Sequence, residues 1–151
     1  MRGILWDETE QRLLLILICF PSGKKVWITP GGGREQGETA AFVLAREVQE
    51  ETGYVGAKSS GILWYRSHDF WFIDHMVHQD EEFHLVPVER FDPSLSDTSD
   101  DYEKEMFREW RWWSIEEILE SDELFSPRNL GTYMQTFCQN GVPANPPKVG
   151  V

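Results

Sequence analysis

The stretch PGGGREQGETAAFVLAREVQEETGY, Pro30 to Tyr54, leaves this chain the least freedom. Glycines in the positions of Gly31, Gly32 and Gly33 lose much backbone entropy on folding, and suit places where the main chain takes positive φ or approaches another group closely. The residues that follow, Thr39 to Thr52, are good helix formers, and Gly53 suits the left-handed position just past a helix end. A strand therefore delivers the loop and a helix leaves it. The strand is VWIT, Val26 to Thr29, preceded by the turn signal PSGKK and by the apolar run LLLILICF, Leu13 to Phe20; together they predict a hairpin. That run is far short of the roughly 20 residues needed to cross a bilayer. Asp7, Glu8 and Glu10 precede it in place of a basic cluster, which marks a buried strand and not a secretion signal.

Within the predicted helix, Ala41, Leu44, Ala45 and Val48 recur at i, i+3, i+4, i+7 and form a face for the core. Further strands are expected at ILWYR after Gly61, at Phe83 to Phe91 and at Trp110 to Ile115, with a polar, acidic surface loop between the last two. SIEEILES, opened by Ser114 with Glu117 three residues on, and NLGTYMQTFCQNG read as helices. Irregular alternation of strands and helices points to an α/β chain, a mixed sheet with helices on both faces. One domain over residues 1–142 and a Pro-rich flexible tail over 143–151 complete the expected organisation.

The formal charge of -12 argues against duplex nucleic acid or an anionic membrane as partner, since both call for a surplus of Lys and Arg. Two cysteines, Cys19 and Cys138, fit idle thiols in a reducing cytosol. Against this acidic background, Glu47, Glu50 and Glu51 share one helical stripe, set roughly 115° around from the apolar one. Like charges at this spacing weaken a helix by a few tenths of a kcal/mol per pair. A hard divalent cation such as Mg²⁺ removes the repulsion, takes oxygen ligands and shares its remaining positions with substrate phosphates. Read alone, the acidic stripe is a solvated face and the glycines are a tight turn; joined at one spacing they point to chemistry.

Gly32, Glu38, Arg46, Glu47, Glu50, Glu51 and Gly53 stand in the register of the Nudix box, and the segment resembles that family. Tyr54 departs from the pattern, which has an aliphatic residue there. The resemblance implies a Nudix-type α/β/α sandwich with a mixed β-sheet, and a hydrolase of a nucleoside diphosphate joined to another moiety. It implies Gly31, Glu47, Glu50 and Glu51 as metal ligands for Mg²⁺ (Mn²⁺ as substitute), with the Gly31 carbonyl contributing. Arg46 and Glu38 then orient helix and loop, Gly32, Gly33 and Arg34 flank the substrate, and Glu47, Glu50 and Arg46 belong to the catalytic centre.

The general base stays open at this stage. Glu105 is the preferred acid outside the box, beside Glu103, with Glu81 and Glu82 as weaker candidates. His68, His75, His78 and His84 match no zinc spacing. The seven tryptophans are mostly core material, with one available to stack on a base. Arg34, Arg66 and Lys25 are candidate phosphate contacts. Signatures of ADP-ribose, coenzyme A, NADH and dinucleoside polyphosphate relatives are absent, which leaves a nucleoside di- or triphosphate by elimination. A catalytically silent nucleotide sensor is the alternative function, and an RNA decapping enzyme is disfavoured by charge. Partners are a small-molecule nucleotide only, in the cytoplasm, with oligomeric state undetermined.

Overall fold

The protein, described by a computed structural model over residues 1–72, 74–96 and 101–151, builds its strands in the order β1 (Arg2–Asp7), β2 (Arg12–Cys19), β3 (Lys25–Ile28), β4 (Ile62–Phe72), β5 (His75–Pro87), β6 (Phe107–Ser114), β7 (Phe125–Ser126) and β8 (Lys148–Val149). The described helices are α1 (Ala40–Thr52), α2 (Asp101–Met106), α3 (Ile115–Glu120) and α4 (Leu130–Asn140). The sheet runs β7-β3-β2-β1-β5-β4-β8, and β6 also pairs with β2. It is mixed: β2 and β3 form the predicted antiparallel hairpin, whereas β1 lies parallel to β5.

Strand alternation explains the apolar run in β2. Leu13, Leu15 and Leu17 enter one core cluster and Leu14 enters the other, as Ile4 and Trp6 part from Leu5 on β1. Residues of one strand point to opposite faces in turn, so a strand apolar throughout needs cover on both sides. Ile118 of α3 with Leu130 and Met134 of α4 supply it on one side, and Leu44 and Val48 of α1 on the other. The result is an α/β/α sandwich. Ser114 makes the predicted capping box, its hydroxyl accepting from the Glu117 amide while the Glu117 carboxylate accepts from the Ser114 amide.

Several details go beyond or differ from the sequence reading. The buried residues of α1 are Val43, Leu44, Glu47, Val48 and Thr52, while Ala41 is exposed; the helix is turned toward its acidic stripe, which draws Glu47 into the interior. The expected acidic surface loop carries α2. β1, hidden in a short segment next to Asp7 and Glu8, completes the centre of the sheet. Strands β4 and β5 extend well beyond ILWYR and the Phe83 segment, pairing as far as Phe72 with His75. Within the Pro-rich segment 143–151, β8 pairs parallel to β4, with Tyr65 opposite Lys148.

Candidate active site

Helix α1 is held at both ends. Thr39 Oγ1 accepts from the Phe42 amide at 3.2 Å, the N-cap bond expected of a threonine. At the far end Gly53, with φ 78°, donates to the Gln49 carbonyl at 2.9 Å. The Ser96 and Ser94 amides reach the Glu50 and Thr52 carbonyls at 2.8 and 2.9 Å, and the Trp110 indole N–H reaches the Glu51 carbonyl at 2.8 Å. Carbonyls that a helix end leaves without partners are thus satisfied in succession, and the acidic side chains between them sit on a fixed backbone.

Those acids occupy the C-terminal half of α1, where the helix dipole is negative, and no basic residue lies in its last turn. Arg46 is the cation set among them. Its Nη1 donates to Glu47 Oε1 at 2.7 Å and lies 3.8 Å from Glu50 Oε2, and its Nη2 meets Glu38 Oε2 at 3.2 Å. Glu38 also accepts from the Glu35 amide at 2.9 Å, so Arg46 and Glu38 bind the loop to the helix. Burial of Glu47 lifts its carboxyl above the ordinary range, against the pull of Arg46, and Glu50 adds to the lift.

The glycine loop closes on the same carboxylates. The Gly31 amide donates to Glu51 Oε2 at 2.7 Å, and its carbonyl accepts from Arg2 Nη1 at 3.2 Å. Gly31 has φ 148° and packs so tightly that a Cβ there would lie 2.1 Å from the Met1 carbonyl oxygen. At Gly32 a Cβ would lie 2.3 Å from Glu47 Cδ. The loop therefore rests directly on a buried carboxylate. Gly33 is open, and Arg34 Nε donates to the Glu38 carbonyl at 2.7 Å.

Glu47 and Glu50 thus meet at Arg46, while Glu51 meets the Gly31 amide and the Gly31 carbonyl meets Arg2. Their side chains turn to Arg46 and to the Gly31 amide, and among the described residues no three acidic, histidine or cysteine side chains enclose a metal position. Their chemistry nonetheless fits a divalent cation: the acids gather at the negative end of a helix, and burial makes the Glu47 charge costly until a cation compensates it.

The structure does not bring every sequence candidate here. Glu105 is exposed on α2, and among the described residues no hydrogen bond or ion pair joins its side chain to α1; its carbonyl accepts from Arg108 at 2.6 Å. The Glu103 side chain lies outside the described residues. Glu81 is 2% exposed and ion-paired through both oxygens to Arg2 and Arg66. The histidines are dispersed: His84 meets Ser59 and Glu82, His78 meets Asp69, and His75 meets Asp74.

A cavity of about 850 Å³ is walled by Phe20, Ile28, Phe70, Trp71 and Phe125 and reaches Arg2, Arg66 and Glu81. A second, polar cavity of about 510 Å³ touches Gly32, Gly33 and Arg34. The aromatic wall could be read from the sequence only in part. Trp71, 69% exposed, is the tryptophan free to stack, but Phe20 and Phe125 are brought near it by the fold alone.

The NUDIX domain family model matches residues 2–133. Similar solved structures include the E. coli ORF135 protein (22% identity, 95% of this chain and 91% of that one, TM-score 0.59). A C. elegans Ap4A hydrolase in binary complex has 15% identity over 91% of this chain and 95% of its own, with TM-score 0.62. The MutT Nudix hydrolase of Burkholderia pseudomallei has 18% identity, coverage of 86% and 91%, and TM-score 0.59. No curated protein matches. At these identities the structures speak to the fold, which they share with this chain, while the family match extends over the glycine loop, α1 and most residues lining the large cavity. The chain belongs to the Nudix family and is a pyrophosphohydrolase.

Proposed function

We propose that this protein hydrolyses the pyrophosphate linkage of a nucleoside di- or triphosphate, or of a nucleoside diphosphate derivative, with Mg²⁺ as cofactor. The observation that carries the reading is the packing of Gly32 on the buried Glu47 carboxylate, and Arg2, bonded to the Gly31 carbonyl, links that loop to a cavity whose aromatic wall suits a nucleobase. Glu47, Glu50, Glu51 and the Gly31 carbonyl would hold the cation. Bound there, Mg²⁺ supplies neutralisation of phosphate charge and activation of water. The chain's own part is positioning and the handling of one proton. Arg46 and Glu38 keep helix and loop in register, and Arg34 stands at the loop's outer edge. Glu50, more exposed than Glu47, with 23% of its side chain accessible against 7%, can pass a proton from the attacking water to solvent and serves as general base. Glu105 is the rival, and Glu105→Gln turnover at saturating Mg²⁺ decides: wild-type rates remove it from the reaction.

Free thiols at Cys19 and Cys138 fit a reducing, cytoplasmic setting, and no described helix is long and apolar enough to cross a membrane. The test is a nucleotide panel assayed with Mg²⁺, with Mn²⁺ and with chelator, run in ¹⁸O water so that the labelled product names the phosphorus attacked. Silence across the panel with metal present rejects the reading.

A further inference from the structure

The core ends abruptly where it meets the large cavity. Across β4 and β5 the apolar pair Trp64 and Phe83 is followed two residues outward by the charged pair Arg66 and Glu81. The parallel β1 brings Arg2 to the same place, opposite Phe83. Glu81, its side chain 1% exposed, accepts from Arg2 Nε at 2.8 Å and from Arg66 Nε at 2.6 Å, with Arg66 Nη2 also in contact. Arg66 Nη1 donates to Ser126 Oγ at 2.8 Å. Every nitrogen of Arg66 is therefore engaged.

Arg2 is different. Its Nε serves Glu81 and its Nη1 the carbonyls of Gly31 and Thr29, at 3.2 and 3.5 Å. Its Nη2 has no partner among the described residues, although Arg2 lines the cavity with 19% of its side chain accessible. The cluster holds two guanidinium groups against one carboxylate. His68 alongside does not restore balance, since burial first and then the Arg66 charge hold its imidazole toward the neutral form. Glu47 offsets part of the Arg2 charge, yet the Nη2 edge of Arg2 still meets the border of the apolar cavity with no partner among the described residues, where an unmatched donor is costly. Through the Gly31 carbonyl that charge touches the residue whose amide is held by Glu51.

We infer that Arg2 is a phosphate-binding residue that receives an oxygen of the substrate's pyrophosphate at Nη2, and that Glu81 is its positioning residue. The inference rests on the hydrolase reading above. A planar guanidinium fixed on two edges leaves its third edge preorganised for an oxyanion, whereas a free lysine or arginine would have to be ordered on binding. Arg2 also ties the nucleotide cavity to the glycine loop, so that a phosphate seated on it arrives in register with the box carboxylates.

The probe is imidodiphosphate, a pyrophosphate analogue that resists hydrolysis, titrated by calorimetry into the full chain with Mn²⁺; Mn²⁺ alone is titrated in parallel. Arg2→Gln should weaken imidodiphosphate binding tenfold to a hundredfold, the range for one charge-assisted hydrogen bond, and should not lower the Mn²⁺ affinity, because the group removed is a cation bonded to the Gly31 carbonyl. Arg2→Lys, a safeguard should the glutamine variant fail to fold, should recover only part of the loss. Glu81→Gln raises the local positive charge, so a mere charge effect predicts tighter binding and unchanged turnover; positioning predicts kcat reduced more than KM changes. Unchanged imidodiphosphate affinity in Arg2→Gln, or an equal loss of Mn²⁺ affinity, overturns the inference. Failure of the wild-type protein to bind the probe at all would instead strike the hydrolase reading, and this inference with it.

Discussion

Gly31 and Gly32 are neighbours with different reasons to be glycine, and alanine at each should fail differently. At Gly31 the obstacle is backbone, the Met1 carbonyl, and φ is 148°, so Gly31→Ala should cost about 1–3 kcal/mol of stability, read as a lower denaturation midpoint. At Gly32 the obstacle is the Glu47 carboxylate, which can swing aside; Gly32→Ala should keep most stability and lose turnover. Glu47→Gln and Glu50→Gln should each lower kcat by about 10²-fold or more. In metal-free protein Glu47→Gln should leave Tm unchanged or raised, because it removes a charge that burial disfavours. These box residues were legible because their roles depend on local spacing along one loop and one helix. Arg2 and Glu81 were not: their meeting depends on β1 lying parallel to β5, a pairing between segments 79 residues apart that no local pattern announces.

At the scale of elements, α1 is the part whose position decides the site. Its N-cap bond from Thr39 predicts that Thr39→Ala costs about 0.5–2 kcal/mol, measurable by urea denaturation, with a larger proportional loss of activity because the capped turn leads into Arg46 and Glu47. The start and stop of α1, the β2–β3 hairpin and the capping box of α3 were readable from propensity and turn chemistry. The face of α1 was not, since apolar spacing alone favoured Ala41 while the fold buries Glu47 in its stead. Packing at a functional site overrides the apolar pattern in this way when a polar group must be inside. The long β4–β5 extension escaped notice because His, Asp and aromatic residues alternate there without an apolar face, and pairing between the two strands supplies what the pattern lacks.

For the molecule as a whole, two buried glutamates give opposite pH dependences. Burial alone would raise Glu81, but Arg2 and then Arg66 outweigh it and hold its carboxyl below the ordinary value. Its stabilising contribution is thus full above the unfolded pKa of about 4.3 and is lost as pH falls through the lower folded value. Glu47, raised by burial over the pull of Arg46, contributes stability in acid that is lost as pH rises through its folded value. In Tm measured against pH without metal, Glu81→Gln should flatten the acid limb and Glu47→Gln should lift the neutral side. Added Mg²⁺ should raise stability by about 2.7 kcal/mol at a hundred times its dissociation constant.

Arg46, paired to Glu38 and Glu47 and near Glu50, acts as a resident counter-ion, and this separates the enzyme's activity from its integrity. A chelator should silence such a protein without melting it, and readdition of metal should restore turnover without any refolding delay, in contrast to small domains that collapse when their ion is withdrawn.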